Sequence, residues 1–449
     1  MPTSGFARRA VALGVGALLA LGVRAARGET PAGSAESSPT PAPSALPSER
    51  WEPSALPALN FDSDVGLGLG AVGALARFEP GFDPYRLRLE AQLFTSVAVD
   101  AAGTASLPFH DDYVRFDAPD LLSDRLRLAG GLFFRKLATS GYYGVGQLAP
   151  ARVFSDAELE RSEPARRYHQ YDHLAVGADL TARITLLRVP RPGEDARLEW
   201  LAGAHGGYHD VSPYPGTELA SDVARLESSA DAHDPLTGLL HGVGPHGLLS
   251  TDAGLVWDDR DHEWWPTRGS LTELSSRWSA GVGERLRFAR FHFSTRWFAP
   301  LFRDVVVFAH RTAVDAIAGD APIYELTTFG VLEPADGPGG SKSVRGVALG
   351  RLAGKLKLIE NAELRAQAPW FSIGEERFRV GFVAFVDAGR VFADVEPVPE
   401  LDGPWAPFDV GVGGGLRLRW GETFVLRADG AWSPTRETPG VYVDIGQVF

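Results

Sequence analysis

The chain has no cysteine, and its single methionine is the first residue. The lack of thiols excludes disulfides, thiolate metal centres and cysteine nucleophiles, so an exported form must be held by backbone hydrogen bonding and packing. Long apolar runs are also missing, with one exception at Val11–Val23 (VALGVGALLALGV). Arg8 and Arg9 precede that run, and small residues with Ala26-Arg27-Gly28 as a plausible cleavage site follow it. A basic start, a short apolar middle and a small-residue end make a secretory signal over residues 1–28, too short to span a bilayer. Beyond Val23 nothing approaches the roughly 20 apolar residues that a spanning helix needs. A mature chain that enters a membrane must therefore close its strands into a ring, because lipid cannot satisfy open sheet edges. Basic charge is in deficit as well: 44 Lys and Arg against 57 Asp and Glu give a net charge of −13. Loss of residues 1–28 removes four arginines and no acid, which takes −13 to −17 and argues against nucleic acid as a partner.

What is present changes texture along the chain. Residues 29–57 are rich in Pro, Ser and Ala, with Pro31, Pro39, Pro41, Pro43, Pro47, Pro53 and Pro57, and read as a semi-extended linker. From residue 58 to Phe449 the pattern becomes short alternating segments separated by Gly and Pro turns. Phe378, Val380, Phe382, Ala384 and Val386 share one strand face, opposite Arg377, Arg379 and Asp387. Leu416, Leu418 and Trp420 oppose Arg417 and Arg419; Phe424, Leu426, Ala428 and Trp432 oppose Arg427 and Asp429. A wall between lipid and a polar lumen has this alternation, and so does a water-soluble sandwich.

Fifteen segments, from 62–78 to 441–449, read as strands. Single-chain bacterial barrels have an even number, so a sixteenth is expected within 58–120. Short turns are expected on the periplasmic side and the long connections 139–170, 212–248 and 319–351 outside. The expected fold is all-β: a 16-stranded antiparallel transmembrane β-barrel over 58–449, with a long extracellular loop folded into the lumen. The last nine residues, VYVDIGQVF, put Val441, Val443, Ile445 and Phe449 on one face, with aromatic Phe449 suited to an interface belt and to a C-terminal signal.

Four motifs carry a family resemblance. Asp258-Asp259-Arg260-Asp261 through Pro266 to Gly269 resembles the D-x-R-D…P-x-x-G periplasmic turn of the BamA/TamA superfamily, also called the bacterial surface antigen family. Val344-Arg345-Gly346-Val347 resembles the V-R-G-[FY] tip of its sixth extracellular loop, Asn361-Ala362-Glu363-Leu364 its N-x-E-[LF] strand, and Phe385-Val386-Asp387-Ala388-Gly389 its F-x-D-x-G strand. Residues 250–449 carry the likeness firmly and 58–250 in texture. The resemblance implies that the loop bearing Arg345 and Gly346 folds inward and sets its arginine against Glu363 and Asp387. A guanidinium between two carboxylates in a confined lumen makes bidentate, charge-assisted hydrogen bonds. The turn motif implies control of strand register.

Two departures stand out. Val347 replaces the family's aromatic residue, and the segment between signal and strands leaves no room for the periplasmic domains that usually receive clients. Six of eleven histidines lie within 205–262: His205, His209, His233, His241, His246 and His262. His205 and His209 can share a strand face, yet irregular spacing and the absence of Cys favour a polar outer loop over a metal site. Ser341 lacks the G-x-S-x-G frame of a nucleophile elbow, and Tyr142–Gln147 lacks a phosphate-binding context. No enzyme, cofactor or metal is expected. The resemblance implies an integral protein of the bacterial outer membrane that aids insertion or translocation of proteins or lipids. Its partners would be outer-membrane lipid and lipopolysaccharide, with outer-membrane or secreted proteins as clients. The alternative is a passive pore or structural surface barrel that has lost assembly work.

Overall fold

The computed structural model describes residues 49–449 apart from 63–65, 81–84, 100–104, 124, 192–194, 229–233, 304, 375, 406 and 421–423. The signal, residues 29–48 of the linker and His233 therefore lie outside the described residues. No described helix is long and apolar enough to cross a membrane.

The described residues form one antiparallel sheet of seventeen strands. In order they are β1 (Arg50–Asp62), β2 (Gly66–Phe78), β3 (Leu87–Val99), β4 (Ala105–Leu121), β5 (Leu126–Gly141), β6 (Gln170–Val189) and β7 (Ala196–Pro213). There follow β8 (Gly244–Asp258), β9 (Gly269–Val282), β10 (Arg287–Phe302) and β11 (Val306–Asp320). A two-strand ribbon, β12 (Thr328–Phe329) with β13 (Ala335–Asp336), belongs to the next loop. The sheet resumes with β14 (Leu356–Gln367), the three-residue β15 (Phe371–Ile373), β16 (Glu376–Phe392), β17 (Asp409–Trp420), β18 (Phe424–Ser433) and β19 (Thr438–Ile445). Each long strand pairs with its sequence neighbours, and β1 meets β19 through Phe61↔Val443 and Asp62↔Tyr442.

Two expectations are corrected here. The strand missing from the sequence reading is β1, and most of it precedes the expected window: Arg50–Pro57 lies in a strand, not in the linker. Pro53 and Pro57 disguised it. The Ser54 carbonyl oxygen lies 3.9 Å from where a Cβ on Gly73 would sit, so Ser54 turns its backbone groups toward β2. Alternation then points Pro53 and Pro57 to the other, free edge, where a missing N–H removes no ladder bond. The second correction concerns Phe449. The last strand ends at Ile445, Gly446 takes a φ of 89°, and Gln447–Phe449 turn inward instead of continuing along the outer face. Phe449 is buried against Phe298, Val307, Ala309 and Val448.

The packing is inside-out. On β10, Phe291 and Phe293 are 46% and 39% exposed while Arg290, His292 and Ser294 are 1%, 3% and 5% exposed. The largest fully buried side chains include Arg290, Arg345, Arg365, Arg390, Arg417 and Arg427. Apolar groups thus face outward and charges inward, the reverse of a water-soluble core and the arrangement a bilayer stabilises. An apolar cap covers the long-loop end, built from Tyr142, Val145, Tyr171, Val211, Leu219, Leu236, Leu239, Ile323 and Leu326.

Candidate functional site

Residues 321–355 connect β11 to β14 and line the inner face of the sheet. Their anchoring runs along the whole segment. Near its start, Arg290 donates to the Thr328 carbonyl at 2.8 Å and to the Glu325 carbonyl at 3.1 Å, and pairs with the Glu325 carboxylate. Asp315 holds Arg290 at 3.1 Å and Lys357 at 3.2 Å, and accepts from the Gly330 N–H at 3.0 Å. In the middle, the Leu332 N–H donates to Glu273 at 3.0 Å, and Arg135 of β5 reaches Asp336. Strands as far apart in the sheet order as β5 and β11 therefore grip one loop.

Its tip carries Arg345, whose side chain is fully buried. The guanidinium grips Asp387 with two hydrogen bonds, Nε to Oδ2 at 2.7 Å and Nη2 to Oδ1 at 3.0 Å, and the Arg345 N–H adds a third at 3.2 Å. Nη2 stands 2.9 Å from Glu363 Oε1, and Nη1 donates to Asp429 Oδ2 at 3.2 Å. One arginine thus ties β14, β16 and β18 together, and its plane lies 3.4 Å over the Phe385 ring. Burial works against its charge, but the fields of Asp387, Glu363 and Asp429 outweigh that and hold it above arginine's ordinary pKa. Fork geometry with a stacked ring is what lysine could not reproduce.

Backbone shape makes room for this contact. Gly346 has a φ of 91°, donates to the Tyr442 hydroxyl at 3.1 Å and accepts from Thr438 Oγ1 at 2.6 Å, so the tip is also tied to β19. A Cβ on Gly411 of β17 would lie 1.9 Å from the Arg345 carbonyl oxygen. Only a strand residue without a side chain lets the tip lie so close. Val347, where the family pattern has an aromatic, is fully buried with Val344, Leu352 and Val391.

The sequence pattern singled out Arg345, Gly346, Glu363 and Asp387, and the structure brings them together. It gave Asn361 and Asp429 no part in that contact and did not single out Arg311. Asn361 accepts from Arg311 at 2.9 and 2.7 Å and donates to the Ser343 carbonyl at 2.6 Å and to Asp387 at 2.7 Å. The signal for Asp429 was its charge on the inward face of β18; nothing in spacing pointed it at Arg345.

The turn motif forms a separate unit at the short-turn end. Asp258 accepts from Arg260 Nε at 2.9 Å and Nη2 at 2.8 Å, and Asp261 caps the Thr267 and Arg268 N–H groups at 2.8 and 3.2 Å. Asp259 accepts from Ser270 N–H at 2.6 Å and Oγ at 2.7 Å. Gly269 adopts a φ of 92°, and Pro266 is buried beside Trp265, over which Arg419 of β17 lies at 5.1 Å. These bonds fix the β8–β9 connection.

The histidines expected in an outer loop are corrected in part: His205, His209 and His246 lie on strands. His205 bonds Asp252 at 2.6 Å, while His173, His209 and His246 stack around Tyr324 of the inner loop.

Residues 113–449 match the Omp85 superfamily domain. No curated protein sequence matches the chain. Among solved structures, BamA from Haemophilus ducreyi lacking POTRA domains 1-3 is similar at 15% identity and a TM-score of 0.52, over 88% of this chain and 70% of that one. CdiB from Escherichia coli is similar at 13% identity and a TM-score of 0.52, over 89% of this chain and 63% of that one. This chain thus spans less than two thirds of that CdiB chain, and at such identities the likeness is one of fold. With 337 of its 449 residues inside the family domain and a BamA-like sheet, the chain belongs to the Omp85 superfamily and is a bacterial outer-membrane β-barrel protein.

Proposed function

We propose that the protein acts as a closed, sixteen-stranded barrel of the outer membrane, with β15 a short extension beside β16, and that it helps insert or translocate proteins or lipids there. Its long loops face outward and its short turns the periplasm. The observation that carries this reading is the seam. Two residue pairs join β1 to β19, while the rest of that edge of β1 pairs with no strand among the described residues, beside a loop pinned across three strands by Arg345. A strand edge without a partner is costly in lipid, and its unsatisfied groups favour β-augmentation by an arriving strand. The lock braces the wall next to that seam through Tyr442 and Thr438 of β19.

A passive pore has less support, because the interior is occupied by residues 321–355 and the long-loop end is capped by apolar side chains. In this reading the exposed apolar belt meets membrane lipid and lipopolysaccharide, and the clients are outer-membrane or secreted proteins; no covalent bond is made or broken. Depletion of the protein in its host, with outer-membrane protein levels as readout, tests the proposal. The levels should fall. Unchanged levels, together with a defined conductance of the purified protein in planar bilayers, would overturn it.

A further inference from the structure

The inward turn of Gly446–Phe449 ends in a built site. Arg417 donates to Gln447 Oε1 at 3.1 Å, Arg311 to the Val448 carbonyl at 3.4 Å and Arg365 to the Phe449 carbonyl at 3.1 Å. The Phe449 ring lies 5.1 Å from the Arg311 guanidinium and 5.0 Å from that of Arg365, within cation–π range. Phe298, Val307 and Ala309 cover its other sides.

Arg365 and Arg417 are each one side chain away from Arg345, and Arg311 is two away. Arg311 reaches it through Asn361 and that residue's bond to Asp387. Arg365 reaches it through Glu363, whose Oε2 accepts at 2.8 Å while Oε1 faces Arg345 at 2.9 Å. Arg417 reaches it through Asp429, whose Oδ1 accepts at 2.5 Å while Oδ2 accepts from Arg345 at 3.2 Å. Removing Arg345 would leave three polar groups to re-pair with the arginines that hold the tail.

The opposite strand supplies an independent reason for the tail to turn in. Phe61 opposes Val443, so a continued β19 would set Gln447 against Pro57. Pro57 points its missing N–H to that edge, so zipping the tail onto β1 would forfeit a ladder bond where it should begin. The inner site offers three charge-assisted hydrogen bonds instead.

We propose that Gly446–Phe449 is a latch coupled to the Arg345 lock: loop tip and tail engage and release together. The latch is independent of whether the protein assembles others, and its test needs no assembly activity.

A chain without cysteine accepts single reporters cleanly. Val448→Cys and, separately, Ser343→Cys in the full-length folded protein are labelled with a membrane-impermeant maleimide, and heat-modifiable mobility confirms the folded sheet. Both sites are buried and should label slowly. Arg345→Ala should speed both by about tenfold, within the range that coupled sites usually show. Deleting Val448 and Phe449 should speed Ser343→Cys in turn, since coupling is reciprocal. If Arg345→Ala does not fold, Asn361→Ala severs one bridge and leaves the arginine, and is read in the same way. A variant that frees Ser343→Cys while Val448→Cys labels at the unaltered rate overturns the proposal, as does a tail deletion that leaves Ser343→Cys protected.

Discussion

The wall formed by β2–β5 and the wall formed by β14–β19 share one alternation of apolar and charged residues but treat their charges differently. On the first wall the pairs are half-buried: Arg127 meets Asp117 at 2.9 Å and Arg88 meets Glu90, all with 19–30% of the side chain exposed. On the second, Arg345, Glu363, Asp387, Arg417, Arg427 and Asp429 are fully buried and share partners. The difference lies in what covers each wall. Arg135–Asp336 is one strut between the loop and β5, whereas Ser341–Gly346 lie directly on β14, β16, β18 and β19. Amphipathic strands make a wall; only the wall that receives the loop becomes a packed ionic interior.

The largest effect separating the two should come from Arg345→Ala, which strands buried carboxylates on three strands. Breaking a buried ion pair from one side costs about 3–5 kcal/mol, so the urea midpoint of the folded barrel should fall markedly. Gly411→Ala should come next. Its methyl would collide with the Arg345 carbonyl oxygen, and an overpacked site costs about 1–3 kcal/mol, read as earlier unfolding and faster proteolysis within 321–355. Arg127→Ala, on the other wall, removes a half-exposed pair worth under about 1 kcal/mol. If it destabilises the barrel as much as Arg345→Ala does, the contrast between the walls is wrong.

The smallest effect concerns pH. Partial burial pushes the Asp259 carboxyl up, but the Ser270 hydrogen bonds and Arg191 more than offset this and hold it below its ordinary value. A depressed carboxyl contributes stability that is fully present above the unfolded value of about 4 and is lost as pH falls through the folded one. Asp259→Asn should therefore flatten the acid limb of a melting profile below about pH 4. An unchanged limb would assign the acid sensitivity elsewhere.

Much of this was legible because period-two alternation survives wherever one face is apolar. The segment 409–420 coincides with β17, and Arg345, Glu363 and Asp387 were found because their motifs are local. What escaped detection depends on distant partners. Pro53 and Pro57 read as linker because proline is unwelcome in a strand, and only the free edge of β1 makes them tolerable. Phe449 read as belt because the pattern continues past Ile445; Gly446 and the arginines on β11 and β14 redirect it. Asp429 and Asn361 lie on the expected faces, but their loop-tip partners, Arg345 and Ser343, are 84 and 18 residues away in sequence, and periodicity carries no such information.

The central claim is that the tip of loop 321–355 lies inside the barrel and is held there by Arg345. Thiol labelling of intact cells tests it directly, with Ser343→Cys as the reporter and Val153→Cys, 90% exposed in the connection between β5 and β6, as the control. The account predicts rapid labelling at 153, protection at 343, and loss of that protection when Arg345→Ala is added. Equal labelling at both positions in the otherwise unaltered chain would contradict it.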